Sequence, residues 1–267
     1  MNGYNGGPQT VPDECSRQSL QALLDKVAIV LKNPKYHENI GAAARVAHNM
    51  GITNLHVVLD EPPDVSKIRK MATHNAADII ERMKVHATLE EALAPFSMVI
   101  GTTARLGRQR RSIRTPREMT GHLLPMLQNN RAALLFGPED RGLKNEDLQY
   151  CQLTVNIPTA AFSSLNLAQA VAILCYEVHT AAFAAVTDGP LHPAPKLAGT
   201  EEMEGMYRHL EKVLCRIGFL QQENHQYWMI SIRQFLGRIG LRAKEVRLIR
   251  GLCRQFLWHE KERGSTH

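Results

Sequence analysis

VAIVLKNPKYHENIGAAARVAHNMGITNLHVVL, residues 27–59, is the stretch whose reading decides the fold. Val27 to Leu31 is a short apolar run closed by Asn33 and Pro34, the pattern of a buried strand running into a turn. Asn39 is placed to cap a helix that runs through the alanine-rich segment to Asn49 and stops at Gly51. A second apolar run, Leu55 to Leu59, follows at once. Strand, helix and strand within roughly 35 residues make a βαβ unit.

The same alternation continues outward. A helical segment around Val65 to Ile80 precedes the short helix-like Leu89 to Leu93 and a strand at Met98 to Ile100. A helix opened by Pro116 reaches about Gln128, strands follow at Ala132 to Phe136 and Leu153 to Ile157, and an apolar helix runs from Ser164 to about Ala185. This rhythm predicts an α/β fold, a mainly parallel sheet with helices on both faces, whose ligand sites lie at the carboxyl ends of the strands. The Pro- and Gly-rich stretch from Thr187 to Lys196 has no periodicity and reads as a linker. Beyond it, apolar residues at helical spacing predict a small all-helical domain over 201–260. The organisation expected is therefore a flexible tail over 1–25, an α/β domain over 26–186, a linker over 187–200 and the helical domain.

Composition supports a globular protein. The chain has 267 residues, 44% hydrophobic and 22% charged, room for one full core and a small second one. No run of about 18 uncharged apolar residues is apparent, and the N-terminus lacks the basic-then-apolar layout of a secretory signal, so the expected location is the cytoplasm, with no membrane partner. Five widely spaced cysteines with no CxxC give neither a disulfide framework nor a zinc site, and the 12 histidines show no HExxH, so no metal is expected. His37, His48 and His74 read as surface, cap or core residues. Net charge is +6. Six arginines and no acid lie between Arg105 and Arg117, and seven basic residues stand against Glu245 alone from Trp228 to Arg254. Two such stretches suit a phosphate backbone, although each taken alone also suits a solvated surface.

Three segments, each following a predicted strand, carry the candidate chemistry: NPKYHENIGAAAR at 33–45, FGPEDRGL at 136–143, and Ile157 with SSLNLA at 163–168. Small residues allow close backbone approach, and Asn39, Arg45 and Glu139 bring polar groups to it. Turn glycines and helix caps are the structural alternative, and for Glu139 that alternative is the capping of a neighbouring helix. The glycine loop lacks the Lys-Ser/Thr of a P-loop, no GxGxxG follows the first strand, and Ser163 and Ser164 are not in a GxSxG elbow.

In this order and spacing the three segments resemble the signature motifs of the SPOUT-class, TrmH-type RNA 2'-O-ribose methyltransferases. GTTAR at 101–105, GLKNEDL at 142–148 and YEV at 176–178 extend the likeness. MYRHL at 206–210, GFL at 218–220 and VRLIRG at 246–251 look like the helical tail of the branch that methylates cytidine and uridine in tRNA. The resemblance covers about residues 26–257. It implies a C-terminal trefoil knot, a homodimer, S-adenosylmethionine as cofactor and tRNA as partner, with nucleotide 32 of the anticodon loop as the target. Ribosomal RNA or another tRNA position is the alternative substrate, a silent RNA-binding assembly factor the alternative function. Carried over by motif, Arg45 is the catalytic residue, with Asn39 and Ser164 beside it. Cofactor contacts fall to Thr102, Thr103, Ala104, Gly137, Glu139, Gly142, Ile157, Ser163, Ser164, Leu165 and Asn166. An arginine keeps its proton at working pH, so Arg45 is expected to act as a clamp on phosphate and developing alkoxide rather than as a base. Charge alone assigns Arg105, Arg108, Arg110, Arg111 and Arg114 to RNA contact, joined by Arg233, Arg242 and Arg247 of the helical domain.

Overall fold

The computed structural model describes residues 13–104, 113–160, 164–187 and 193–264. Asp13 caps a first helix, α1 (Glu14–Leu24), by accepting from the Ser16 N–H at 2.8 Å, and Leu23 and Leu24 are buried. The flexible tail expected over 1–25 is thus corrected for its last part. The pair of leucines gives residues 14–24 an apolar anchor, and α1 packs on the long helix α8 (Leu167–Thr187).

The quoted stretch folds as β1 (Val27–Lys32), α2 (His37–Asn49) and β2 (Asn54–Val58). Next come α3 (Val65–Ala72), a 3₁₀ turn at His74–Ala76, α4 (Ala77–Glu81), β3 (Lys84–His86) and α5 (Leu89–Leu93). The single helix expected over 65–80 is broken at Thr73, whose φ of +59° takes the backbone out of the helical region. Then follow β4 (Met98–Thr102), β5 (Ile113–Arg114), α6 (Pro116–Leu127), β6 (Ala132–Phe136), α7 (Asn145–Leu148) and β7 (Leu153–Val155), before α8.

Among the described residues seven strands form one sheet, all parallel, in the order β3-β2-β1-β6-β4-β7-β5. Successive side chains of β1 serve opposite faces, the reason the run reads as continuously apolar. Val27, Ile29 and Leu31 enter the core under α1, α2, α6 and α8, whereas Ala28 and Val30 enter the one that α5 and Phe96 cover. Two-residue β5 and three-residue β3 were not legible in the sequence, being too short to show a period. Helix α8 is long enough and, at a mean hydropathy of 1.5, apolar enough to cross a membrane by length and composition. It carries Glu177 and His179, so it is not a run of about 18 uncharged apolar residues of the kind the sequence reading looked for. Val171, Leu174, Cys175, Val178 and Ala182 spend part of that apolarity on the core.

The second core belongs to α9 (Thr200–Arg216), α10 (His225–Ile239) and α11 (Ala243–Gly264). The described part of the linker is tied down. The Asn130 side chain donates to Pro195 O at 3.0 Å and accepts from the Leu197 N–H at 2.8 Å; Thr200 donates through both N–H and hydroxyl to Phe96 O at 2.8 Å. Arg208 of α9 meets Glu90 of α5 at 2.7 Å. Phe96 and Asn130 precede β4 and β6, so the helical domain is fastened at the amino ends of these strands.

At the sheet's β2–β3 edge, buried His56 stacks on His86, ring centroids 5.1 Å apart and Nδ1 to Nε2 at 3.0 Å. Desolvation, then the neighbouring His86, Lys84 and Arg131, lower the His56 pKa to about 4. The folded-state value lies below the unfolded one of about 6.5, so this contribution to stability is whole above pH 6.5 and is lost as pH falls toward 4. Urea unfolding is expected to show stability falling by about 1.4 kcal/mol per pH unit across that window, with His56→Phe removing that slope. A slope unchanged by His56→Phe would assign the loss to other groups.

Candidate functional site

Where β4, β6 and β7 end, their loops converge on a cleft of about 290 Å³. Small-molecule sites run upward from roughly 300 Å³. Thr102, Thr103 and Ala104 extend β4 into one wall, and residues 137–143 after β6 form another. Ile157 after β7, with Ser164, Leu165, Leu167 and Ala170 at the start of α8, closes the third.

The loops are fixed to one another by hydrogen bonds to backbone carbonyls. The Thr103 N–H donates to Val155 O at 2.9 Å, the Asn156 amide donates to Thr103 O at 2.9 Å, and the Thr102 hydroxyl donates to Leu135 O at 3.2 Å. The glycine loop folds back on itself, with the Gly142 N–H on Pro138 O at 2.7 Å and Gly142 at φ +62°. A Cβ on Gly137 would lie 2.4 Å from Gly142 C and Leu143 N, so the position admits no side chain. Behind the loop Asp147, 3% exposed, pairs with Lys32 from the end of β1 and accepts from the Lys144 N–H at 2.8 Å. Burial of this pair bolts α7, and with it the glycine loop, to the central strand. The sequence reading missed it; a lysine closing an apolar run was its one visible trace.

Glu139 is the hub between the three segments. Its carboxylate accepts from the Lys35 N–H at 2.8 Å and from the Asn39 side-chain amide. Asn39 in turn accepts from the Asn166 amide at 3.1 Å, and Asn166 accepts from the Ala168 N–H at 2.8 Å, which caps α8. Glu139 therefore ties one motif to another instead of capping a helix. Glu139 is also among the residues that line the cleft.

Of the residues marked from the sequence, Thr102, Thr103, Ala104, Gly137, Glu139, Gly142, Ile157, Ser164 and Leu165 line the cleft. Asn39 stands one hydrogen bond behind it, through Glu139, and Asn166 a second, through Asn39. Arg45 is exposed on α2, outside the lining, with no hydrogen bond or ion pair among the described residues. Gly41 belongs to packing: its missing Cβ would fall 2.0 Å from Ile68 O, so it lets α2 and α3 touch. Ser163, Arg105, Arg108, Arg110 and Arg111 lie outside the described residues. Arg114, Arg242 and Arg247 are exposed, but Arg233 corrects its assignment to RNA contact. Its side chain, 13% exposed, forms a bidentate pair with Glu204 at 2.5 and 2.7 Å and lies over the Tyr207 ring at 4.4 Å. A guanidinium so engaged holds α10 to α9 and is not offered to a ligand.

Small-residue loops at the carboxyl ends of a parallel sheet, with an apolar-walled cleft among them, define an α/β protein with a small-molecule-sized site at the end of its sheet. More narrowly, the chain belongs to the SpoU rRNA Methylase family, whose model matches residues 26–176, and residues 201–266 match the C-terminal domain of the tRNA methyltransferase TrmJ. It is 39% identical over 241 residues to the tRNA (cytidine/uridine/adenosine-2'-O-)-methyltransferase TrmJ of Pseudomonas aeruginosa, covering 86% of this chain and 93% of that one. A TrmJ of Yersinia pestis is 36% identical over 253 residues, 91% of this chain and 96% of its own. Among solved structures, TrmJ from Z. mobilis ZM4 superposes with a TM-score of 0.74 at 30% identity, over 85% of this chain and 97% of the other.

Proposed function

We propose that the protein transfers a methyl group from S-adenosylmethionine to a ribose 2'-hydroxyl of tRNA, at cytidine or uridine 32 of the anticodon loop, as a homodimer. The observation that carries the reading is the Asn39–Glu139–Asn166 network, which joins the three motif segments into one wall behind a cofactor-sized cleft. The cleft suits the cofactor: backbone-lined loops admit the adenine and ribose, Ile157 and Leu165 give apolar walls, and Gly137, having no side chain, lets the loop fold back on Gly142 and Leu143 to form its wall. The trefoil knot belongs to the same family reading, and the strand order, with β4 between β6 and β7, is compatible with it.

S-adenosylmethionine, when bound, supplies a methyl group on a positively charged sulfur that needs no acid to leave. The work left to the chain is to orient the ribose hydroxyl and to ease loss of its proton. Asn39 is held by Glu139 and Asn166, so its position is set before RNA arrives. Arg45 is unpaired among the described residues and open to solvent, available to grip the phosphate beside the target and to stabilise the developing alkoxide; the proton leaves to that phosphate or to water. The arginines of 105–117 are assigned to the adjoining RNA backbone.

Incubating the protein with labelled S-adenosylmethionine and unmodified tRNA, then identifying nucleosides by mass spectrometry, tests the reading. Appearance of 2'-O-methylcytidine or 2'-O-methyluridine in the anticodon loop is expected. Label found in ribosomal RNA alone would overturn the substrate and keep the chemistry.

A further inference from the structure

Tyr36 occupies a position at which a helix favours other residues. It is the N-cap of α2, with extended backbone at φ −116° and ψ 119°, and its side chain caps nothing. Serine, threonine, asparagine or aspartate there would satisfy an open N–H and stabilise the helix. The ring is instead 54% exposed, with Lys35 Nζ 5.6 Å from its centroid, close enough for a cation–π attraction that orders both side chains. The backbone beneath it is held on two sides. On the inner side the Lys35 N–H donates to Glu139 at 2.8 Å, and the Tyr36 carbonyl accepts from the N–H of Asn39, whose side chain reaches the same carboxylate. On the outer side the Asn33 amide donates to Asp60 and His37 Nδ1 accepts from the Asp64 N–H, both at 2.9 Å, which ties this loop to the one after β2. An aromatic ring is thus presented to solvent from a fixed seat, and both inner holds lead to Glu139, a residue of the cleft wall.

We propose, resting on the methylation reading above, that Tyr36 is the platform on which the base of the target nucleotide stacks. In a ribonucleotide the base is borne by C1', the carbon next to the one that carries the 2'-hydroxyl. A hydroxyl brought to the cleft therefore brings its base to the rim, where the segment from Lys35 to Asn39 stands. A loop nucleotide whose ribose enters a cleft gives up stacking on its neighbours, and an aromatic side chain at the rim replaces that contact. Every base has a π-face, so such a platform serves cytidine and uridine alike. Rigidity is part of the device. A ring on a loose loop would have to be ordered as the RNA binds, whereas the hydrogen bonds around Tyr36 fix its backbone beforehand.

The test crosses a protein variant with a substrate variant. Wild-type protein and Tyr36→Ala are each given full-length unmodified tRNA and the same RNA with an abasic ribose, its 2'-hydroxyl intact, at the nucleotide that is methylated. On intact tRNA the alanine variant is expected to lose about tenfold or more in kcat/KM, the scale of one base–aromatic stack. On the abasic RNA the two proteins should be equal, because the partner of the ring is already gone. Tyr36→Phe, which keeps the π-face, should retain wild-type kcat/KM on intact tRNA, and the affinity of all three proteins for S-adenosylmethionine should agree. An alanine variant as active as wild type would overturn the platform while the methylation reading stands. The same fold loss on intact and abasic RNA would also overturn it, since the ring would then act through the loop and not through the base. So would an alanine variant that elutes at a smaller size than wild type, which would assign the ring to contact between two copies of the chain. A wild-type protein that binds S-adenosylmethionine yet methylates no intact tRNA would remove the methylation reading itself.

Discussion

Gly137→Ala is expected to weaken binding of S-adenosylmethionine by about a hundredfold or more, measured by isothermal titration, while the far-ultraviolet spectrum stays that of the wild type. The added carbon would stand 2.4 Å from the backbone of Gly142 and Leu143, and backbone has no rotamer with which to withdraw. The loop must open, and overpacking of that kind costs about 1–3 kcal/mol, the upper end of which is a hundredfold in affinity. The opening falls on the wall that Glu139 and Gly142 give to the cleft and reaches the core under α5 only through Leu143, whereas the larger core on the other face of the sheet holds no residue of the loop. Gly142→Ala makes the comparison. At Gly142 nothing lies within 4 Å of the new carbon, so the cost is the left-handed backbone alone, about 1 kcal/mol or roughly fivefold. Equal effects at the two positions would mean that backbone freedom, not the closeness of the fold-back, is what the loop needs.

Much of this was legible in residues 27–59, because a doubly covered parallel strand has to be apolar at every position and a crossover helix has to follow it. What stayed hidden shares one cause: it depends on a partner distant in the chain. Glu139 and Asn39 stand 100 residues apart, and nothing local says that one accepts from the other. Lys32 and Asp147 are 115 apart. Arg233 was misjudged because a basic residue on a helix reads as surface until Glu204 is seen beneath it. Gly41 sits inside a motif that invites a ligand, yet its close neighbour is the backbone of α3. The broken helix at Thr73 and the held linker are of the same kind, local patterns overridden by what packs against them.

Arg45→Ala is expected to lower kcat for tRNA methylation by about 10²–10³ with the affinity for S-adenosylmethionine unchanged, the scale of losing one preorganised donor to a developing oxyanion. The separation of the two effects follows from position. Arg45 lies six residues beyond Asn39 on α2, about 9 Å along the axis, and is outside the lining of the cleft, so its loss is expected to leave the methyl donor's pocket as it is. Exposed and unpaired among the described residues, it supports no neighbour whose collapse would imitate a catalytic loss. Thermal unfolding of the variant is therefore expected to match the wild type within a degree or two, as for surface substitutions generally. Arg45→Lys separates a clamp from a simple attraction. The ammonium keeps the charge but not the planar pair of donors that fits two phosphate oxygens at once, so turnover should stay at about a tenth of wild type or less. Near-complete recovery by lysine would leave attraction as the whole role, and an alanine variant of undiminished turnover would return Arg45 to the ordinary surface of α2.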